Sequence, residues 1–302
     1  MMAGLAIMLV AAALASAEAD HNCRFWACAS EAIPDFVITE HLTSLPNSIE
    51  NLSRSNEDGW SLAYYSLGSA APTVHRGKPP AWQDAGFDSA VAEAARRSPQ
   101  IAVSHIRACS SGLCEIPNPH PFERVKDGKH WLMGHNGTIS KQVLLDLIRP
   151  EYLEANPPQY GSNPSEWIDT DLYFIYMLQT IEDHNWQVKP AIGEVIEHLR
   201  EAIPGDSETF NFFLTDGTTV WAYRQGNTLY YVYDPATPSA RRGGRPRAAA
   251  TVGTAYSAVA SQFPSASQGI WQEMANGDLV TLTPSSPPVL ETVETYFPRP
   301  AR

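Results

Sequence analysis

A few polar side chains in this sequence could together bind an amino acid and act on an amide bond. Arg107 follows a short apolar segment, and an arginine can bind an α-carboxylate through two parallel hydrogen bonds. Asp171 offers a carboxylate that could bind an α-ammonium group. Asn136 precedes Gly137, and an asparagine amide beside a glycine N–H can form an oxyanion hole. These residue types predict a pocket for the amino-acid end of a zwitterion, with amide chemistry beside it.

The same features also have ordinary structural explanations. An arginine after a strand usually forms a surface ion pair, Asn-Gly is usually a turn, and Asp169-Thr170-Asp171 could simply cap a helix. Four histidines lie between His105 and His135, but their spacing matches no helical pair and no short zinc motif. We therefore predict neither a metal site nor a cofactor.

Length and composition are those of a globular protein. The chain has 302 residues, of which 43% are hydrophobic and 18% are charged. Its net charge of −12 argues against nucleic acid or an anionic membrane surface as the main partner. Four cysteines without a CxxC pair are too few for a disulfide scaffold. We expect the partner to be a small-molecule substrate.

The first residues have the composition of a targeting segment. Residues 3–17 are almost wholly apolar and end in Ala15-Ser16-Ala17, a small-x-small cleavage pattern. This segment is shorter than the about 20 residues that span a bilayer, so we predict no stable membrane span. We predict a signal peptide over 1–19, cleaved near Ala17 or Ala19, a pro-segment over 20–22, and export to the periplasm or medium. An uncleaved anchor or a buried first helix is the alternative.

Apolar periodicity predicts the elements that must position the candidate residues. Short apolar or alternating segments between turn residues indicate strands, and a 3.6-residue repeat indicates helices. Predicted strands cover residues 23–28, 61–66, 101–105, 131–135, 210–214, 219–223, 228–233, 255–260 and 278–282. Predicted helices cover 88–97 with Asp88 as the cap, 142–148, 172–182 and 192–202. Strands, then helices, then strands predict an α+β fold rather than βαβ crossovers.

The chain is predicted to form one domain over 23–290, followed by a C-terminal tail over 291–302. The proline-rich sequence from Pro284 onwards is interpreted as a surface strap. The arginine-rich segment 239–249 is interpreted as a solvated loop.

Several short motifs occur in the order expected of one known family. They are Cys23-Arg24-Phe25-Trp26, Asn56-Glu57-Asp58-Gly59-Trp60, Ser104-His105-Ile106-Arg107, Asn118-Pro119-His120-Pro121-Phe122, Gly134-His135-Asn136-Gly137 and Asp169-Thr170-Asp171. On these motifs the sequence resembles the class II glutamine amidotransferases, which are N-terminal-nucleophile (Ntn) hydrolases. It is most similar to the small stand-alone kind without a synthase domain. The resemblance covers nearly the whole chain after the predicted signal peptide.

The resemblance implies a four-layer αββα sandwich and a role for each candidate residue. The Cys23 thiolate would attack the side-chain amide of glutamine or a γ-glutamyl compound, with its own α-amino group as base and then acid. Water would then release glutamate from the thioester. The other implied roles are the oxyanion hole for Asn136 and the N–H of Gly137, α-carboxylate binding for Arg107, α-ammonium binding for Asp171, and a supporting position near the pocket for His120.

Two features depart from the family pattern. Relatives expose the cysteine after removal of the initiator Met, whereas Asn22 precedes Cys23 here. The mechanism needs a free amine, so a second protease or self-cleavage must cut between these two residues, and the chain is inactive otherwise. Most relatives work in the cytosol and often pass ammonia to a synthase. An exported chain is therefore expected to hydrolyse γ-glutamyl amides rather than to transfer ammonia.

The remaining cysteines leave alternatives open. Cys109 and Cys114 follow Arg107 and could close a small disulfide loop that stiffens the pocket wall in an oxidising compartment. Cys28 would then be a buried thiol, although it could instead pair with either of them. Cys28 is also the second candidate for the nucleophile. Cys23 is preferred because its surroundings are those that resemble the start of the family.

The predicted function is a glutamine amidotransferase-like amidohydrolase that releases glutamate from glutamine or a γ-glutamyl compound. One alternative is another Ntn amidase acting on acyl amides or peptides, which need not have the clamp of Arg107 and Asp171. The other is a non-catalytic γ-glutamyl-binding protein, which is favoured if Asn22 stays attached.

Overall fold

The first strand, β1 (Arg24–Ser30), is buried on both faces, and its two faces pack against different layers. Trp26 and Cys28 contact the apolar side chains of helices, whereas Phe25 and Ala27 contact residues of a second sheet. A strand covered in this way lies inside a layered fold, which explains its uninterrupted apolar sequence. The structure, a computed structural model, describes residues 22–203, 209–235 and 254–293.

The strands form two antiparallel sheets. In chain order the strands after β1 are β2 (Trp60–Tyr65), β3 (Thr73–Gly77), β4 (Ile101–Ile106), β5 (Phe122–Lys126), β6 (Lys129–Asn136), β7 (Asn211–Thr215), β8 (Val220–Tyr223), β9 (Tyr230–Asp234), β10 (Tyr256–Ala260), β11 (Gln272–Glu273), β12 (Asp278–Thr283) and β13 (Ser286–Thr292). The seven-stranded sheet has the order β11-β9-β10-β1-β4-β2-β3, and the six-stranded sheet has the order β13-β12-β8-β7-β6-β5. Apolar residues of both sheets meet between them, among them Phe25 of β1 and Phe213 of β7, whose ring centroids are 5.3 Å apart.

Helices cover the outer face of each sheet. In chain order they are α1 (Asp35–Thr39), α2 (Ile49–Leu52), α3 (Ala85–Arg97), α4 (Lys141–Leu147), α5 (Pro150–Ala155), α6 (Asp169–Asp183) and α7 (Val188–Ala202). A π-helical turn follows α1 over 40–44, and a 3₁₀ turn precedes α3 over 81–83. The apolar residues of α1, α2 and α3 pack on the seven-stranded sheet, and those of α4, α6 and α7 pack on the six-stranded sheet. The predicted four-layer αββα arrangement is confirmed.

Each strand and helix that periodicity predicted is present, with small shifts at the ends. One helix start was wrong, because α3 begins at Ala85 and is capped by Asp84 instead of Asp88. The Asp84 carboxylate accepts the N–H of Gly86 at 2.9 Å, which satisfies a donor that the first turn leaves unpaired.

The proline-rich sequence after Pro284 is also more regular than predicted. It contains β13, which pairs with β12 in antiparallel register, with Leu290 opposite Val280. Because β13 is the edge strand of its sheet, prolines near its start are tolerated there. This part of the chain therefore forms one edge strand of the six-stranded sheet.

Four sequence predictions lie wholly or partly outside the described residues. They concern the signal peptide over 1–19, the pro-segment over 20–22 except for Asn22, the arginine-rich segment over 239–249 and the end of the tail beyond residue 293. Within the described ranges, no helix combines the length and the apolar character needed to cross a membrane.

Candidate active site

Cys23 lies where β1 begins, beside the end of β4. The register of these strands pairs Arg24 with Ile106, which brings Cys23 next to Arg107. The Sγ atom of Cys23 is 3.4 Å from the backbone nitrogen of Ala108 and 3.5 Å from its carbonyl oxygen. Only 8% of the cysteine is exposed. The two strands thus hold the thiol against the backbone of Ala108, the residue after the buried Arg107.

The surroundings of the thiol disfavour its ionisation. Burial raises the pKa of the Cys23 thiol to about 11, because the thiolate would lose its solvation. The N–H of Ala108 and the positive charge of Arg107 oppose this rise, whereas Asp169 adds to it. Over the described parts of the chain, the thiol hydrogen-bonds to the backbone of Ala108 and to no basic side chain. A base must come from elsewhere, and the α-amino group of Cys23 is the group that the family resemblance implies.

The residue before the thiol is held in place by three side chains. The carbonyl oxygen of Asn22 accepts hydrogen bonds from Asn56 and from Arg24, each at 2.5 Å. The side-chain amide of Asn22 donates to the Oδ1 atom of Asn227 at 3.2 Å. In the uncut chain, therefore, the nitrogen of Cys23 belongs to an ordered peptide bond and has no basic lone pair.

Arg107 is buried, and its guanidinium contacts the loop that follows it. Nη1 donates to the carbonyl oxygen of Leu113 at 2.8 Å, and Nη2 donates to that of Ser111 at 3.0 Å. Cys109 and Cys114 are disulfide-bonded at the two ends of this loop, with Cα atoms 5.7 Å apart. Of the pairings that the sequence left open, this is the one the protein contains. We call residues 109–114 the disulfide loop.

The disulfide loop also contacts other predicted parts of the site. The hydroxyl of Ser110 lies 2.8 Å from that of Thr138, the residue after Gly137. The hydroxyl of Ser111 accepts the N–H of Asp169 at 3.3 Å. The disulfide loop therefore contacts Arg107, the segment Asn136-Gly137-Thr138, which we call the Asn-Gly segment, and the start of α6.

The carboxylate predicted to bind an ammonium group is engaged elsewhere. Asp171 accepts a hydrogen bond from Arg124 at 2.7 Å and one from the backbone nitrogen of Gln159 at 2.5 Å. Burial raises the pKa of Asp171, and Arg124 opposes that rise. The acidic residue whose charge acts on both Cys23 and Arg107 is Asp169. Asp169 and Asp171 meet different neighbours, because residues two apart on a helix point about 200° apart.

Asp169 lies at the start of α6, next to the end of β6. Its carboxylate accepts the backbone N–H groups of Ile139 and of Thr170, each at 2.9 Å. A carboxylate in the first turn of a helix is stabilised by the unpaired N–H groups and by the helix dipole. These contacts fix Asp169 close to the Asn-Gly segment.

Asn136 is the last residue of β6, in the sheet opposite Cys23, and Gly137 follows it. The Nδ2 atom of Asn136 lies 3.4 Å from the hydroxyl of Ser261, which itself accepts the N–H of Phe25 in β1 at 3.0 Å. Gly137 has no room for a side chain, since an added Cβ would lie 2.1 Å from the carbonyl oxygen of Thr209. The Asn-Gly segment is thus packed tightly, and a hydrogen-bond chain connects it to the strand of the nucleophile.

Three buried histidines, His105, His120 and His135, connect the parts of the site. His120 lies 2.9 Å from the hydroxyl of Thr170 through Nε2, and its ring stacks on that of His105 at 4.2 Å. His135 lies 3.3 Å from the same hydroxyl and 2.9 Å from the carbonyl oxygen of Thr209. Burial lowers the pKa of His105 to about 3 and that of His120 well below its usual range, so both are neutral at neutral pH. His120 therefore supports Thr170, the neighbour of Asp169.

Cys28, the second candidate nucleophile, occupies a different environment. It is fully buried in the cluster between the seven-stranded sheet and helices α1 to α3. Burial raises the pKa of its thiol well above the usual value. Since successive side chains of a strand alternate in direction, Cys28 points away from the layer between the sheets.

Sequence reasoning passed over several polar residues of this site. Asn56 and Asn227 lie in segments that have the composition of turns, Asn56-Glu57-Asp58-Gly59 and Gly226-Asn227, and Asp169 lies in a motif that could cap a helix. The available signal was that each lies within or beside a motif that carries the family resemblance, or at a predicted strand end. Turn composition alone could not show which of these amides reaches the nucleophile.

A thiol, a buried guanidinium and an asparagine amide thus lie at the strand ends of the two sheets, and the carboxylate of Asp169 lies beside them at the start of α6. These groups can attack an amide and stabilise the oxyanion that forms, so the fold and the site define a hydrolase-type enzyme. The chain belongs to the class II glutamine amidotransferases, because the model of the family described as "Glutamine amidotransferases class-II" matches residues 23–296.

Curated relatives match parts of the chain. A protein of Haemophilus influenzae, itself predicted to be a glutamine amidotransferase, is 30% identical over 132 residues, which are 43% of this chain and 40% of that protein. The gamma-glutamyl-hercynylcysteine sulfoxide hydrolase of Mycobacterium tuberculosis is 36% identical over 90 residues, 30% of this chain and 35% of that enzyme. The chain therefore spans less than half the length of these two relatives.

A solved structure shares the fold. Glutamine phosphoribosylpyrophosphate amidotransferase from B. subtilis superimposes with a TM-score of 0.57 at 12% identity. The match covers 90% of this chain and 49% of that enzyme. At this identity the similarity concerns the fold alone, and it agrees with the αββα layers described above.

Proposed function

We propose that this protein hydrolyses the side-chain amide of glutamine or the γ-glutamyl bond of a γ-glutamyl compound and releases glutamate. The form that acts is the chain beginning at Cys23, which we call the mature chain. The observation that carries the proposal is the position of the Cys23 thiol, against Ala108 and within the electrostatic influence of Arg107 and Asp169. The family match also begins at Cys23.

The proposed reaction uses the N-terminal cysteine twice. Its α-amine takes the proton of the thiol, and Sγ attacks the amide carbon. The amide group of Asn136 and the N–H of Gly137 hold the oxyanion, and the protonated amine then gives its proton to the leaving amine. Water hydrolyses the thioester, which releases glutamate and restores the thiol.

The amino-acid end of the substrate would be bound by two charged residues. Arg107 binds the α-carboxylate, for which the carbonyl groups of Ser111 and Leu113 must release part of the guanidinium. We transfer the α-ammonium role from Asp171 to Asp169, because Asp169 is the carboxylate that acts electrostatically on Cys23 and Arg107. The M. tuberculosis relative, named as a hydrolase of a gamma-glutamyl compound, supports a γ-glutamyl substrate.

We further propose that the chain is exported and that residues 1–19 are its signal peptide. The disulfide between Cys109 and Cys114 supports this proposal, since such bonds persist in oxidising compartments. Export separates the chain from a synthase that could accept ammonia, which favours hydrolysis over ammonia transfer.

A substrate panel tests the proposed function. The mature chain is incubated with L-glutamine, a γ-glutamyl dipeptide, the α-linked isomer of that dipeptide and N-acetylglutamine, and glutamate or free amine is measured. We expect turnover of the first two only, because the clamp requires a free α-carboxylate and a free α-ammonium group. Turnover of N-acetylglutamine or of the α-linked dipeptide at comparable kcat/KM would instead favour a different Ntn amidase.

The proposed binding of the amino-acid end by Arg107 and Asp169 gives a prediction that distinguishes Asp169 from Asp171. Asp169→Asn is expected to raise KM for glutamine about 10- to 100-fold, since hydrogen bonds to charged groups contribute about 1.5–3 kcal/mol. Arg107→Lys is expected to raise KM similarly, because lysine keeps the charge but cannot bind a carboxylate through two parallel hydrogen bonds. Steady-state kinetics of the mature chain measure both effects.

Asp171→Asn is the matched control for Asp169→Asn. It removes the ion pair with Arg124 and is expected to lower the melting temperature while leaving KM within about threefold. A raised KM for Asp171→Asn with a normal KM for Asp169→Asn would return the ammonium-binding role to Asp171.

A further inference from the structure

Asn227 orients the side-chain amide of Asn136. The Nδ2 atom of Asn227 donates to both oxygens of Asn136, at 3.1 Å to Oδ1 and at 3.0 Å to the backbone carbonyl. A side-chain amide has one acceptor end and one donor end. Because Asn227 donates to the acceptor end, the donor end of Asn136 must point away from it.

The donor end of Asn136 points toward the strand that carries the nucleophile. Its Nδ2 atom lies 3.4 Å from the hydroxyl oxygen of Ser261. Ser261 is bound to β1 twice, since its hydroxyl accepts the N–H of Phe25 and its own N–H donates to the Phe25 carbonyl, both at 3.0 Å. Phe25 lies two residues after Cys23. The 3.4 Å contact is long for a hydrogen bond, so an oxyanion could replace it at little cost.

Asn227 can act as a support because its own position is fixed. Its carbonyl oxygen accepts hydrogen bonds from Nε of Arg224 at 3.0 Å and from the side chain of Asn211 at 2.9 Å. The preceding residue, Gly226, has a φ of +99°, and an added Cβ would lie 2.4 Å from Cγ2 of Thr209. The turn between β8 and β9 therefore requires glycine at this position and holds the next residue rigidly.

We infer that Asn227 is a positioning residue for the oxyanion hole, which it completes by holding the Asn136 amide with Nδ2 directed at the reacting carbonyl. This inference rests on the proposed function. Without Asn227, the Asn136 amide can rotate and present its oxygen, which would repel the oxyanion. The residue that must be removed, Asn22, also contacts Asn227, through its side-chain amide.

Glutamine hydrolysis by variants of the mature chain tests this inference. Asn227→Ala is expected to lower kcat by about 10- to 100-fold, somewhat less than the about 10²- to 10³-fold typical of removing an oxyanion donor itself. KM is expected to change less than twofold, because the oxyanion forms only in the transition state. Asn227→Asp is expected to lose more activity at neutral pH, and its kcat relative to the wild type should rise as the pH falls and the carboxyl group becomes a donor.

A double-mutant cycle separates positioning from general damage. In an Asn136→Ala background, Asn227→Ala is expected to have almost no further effect on kcat, since it acts only through Asn136. Asn276→Ala is the control, because the Asn276 side chain accepts the N–H of Gly226 at 3.0 Å and so supports the same turn. This control is expected to keep kcat within about threefold.

Two results would overturn the inference. One is a kcat for Asn227→Ala within twofold of the wild type, and the other is an equal loss in both backgrounds. An inactive wild-type mature chain would contradict the proposed function instead, so the two failures are distinguishable.

Discussion

Replacing Cys23 with alanine is expected to abolish glutamate release from glutamine by the mature chain. The thiol is the nucleophile in the proposed reaction, and removing a catalytic nucleophile costs at least about 10⁴-fold in kcat. The site keeps Arg107, Asp169 and the Asn-Gly segment in this variant, so glutamine should still bind with a similar Kd. The two measurements are a glutamate assay and calorimetric titration with glutamine.

Cys28→Ala is the matched control, because it removes the other free thiol of the described residues. Cys28 lies in the helix-facing core, so its loss is expected to lower stability by roughly 1–2 kcal/mol and to leave kcat within a few-fold. A glutamine analogue with an electrophilic side-chain ketone should label the Cys23 peptide in this control and in the wild type. Labelling of Cys28, or full activity of Cys23→Ala, would remove Cys23 from the mechanism.

The layers of the fold could be predicted from the sequence, because the spacing of apolar residues indicates which face of a strand or helix is buried. The apolar strand at β1 and the amphipathic helix α7 both contain the repeat that their packing requires. Elements with little apolar periodicity were not predicted, such as β13, whose prolines suggest a loop. β13 pairs with β12 at the edge of the sheet, where prolines are tolerated. This pairing depends on the tertiary structure and cannot be predicted from the local sequence.

The candidate site was predictable as a set of residues and less so as a set of contacts. The motifs brought together Cys23, Arg107 and Asn136, which do lie at neighbouring strand ends. Sequence could not distinguish Asp169 from Asp171, because both lie in one short motif at the start of α6 and only the packing of this helix decides which neighbours each one meets. The family resemblance could not identify Asn227. The proposed role of Asn227 depends on the hydrogen bond that its Nδ2 atom donates to Oδ1 of Asn136, which only the structure shows.

Removal of Asn22 is expected to switch the enzyme on. A chain that starts at Cys23 can be produced by placing Met before it, which methionyl aminopeptidase removes. A chain that starts with Met followed by Asn22 differs by the retained residue and keeps the nitrogen of Cys23 in a peptide bond. We expect the second chain to hydrolyse glutamine at least about 100-fold more slowly, since general acid–base catalysis contributes about 10²- to 10⁴-fold.

Alkylation gives an independent readout of the same switch. With the pKa of the Cys23 thiol at about 11 in the uncut chain, about one thiol in a thousand is ionised at pH 8. Iodoacetamide should therefore modify Cys23 slowly there, at a rate that rises about tenfold for each pH unit up to 11. A freed α-amine can accept the thiol proton, so the mature chain should react much faster at pH 8, as peptide mapping would show. If the chain that retains Asn22 matches the mature chain in both glutamine hydrolysis and alkylation rate, then the α-amine of Cys23 is not the base.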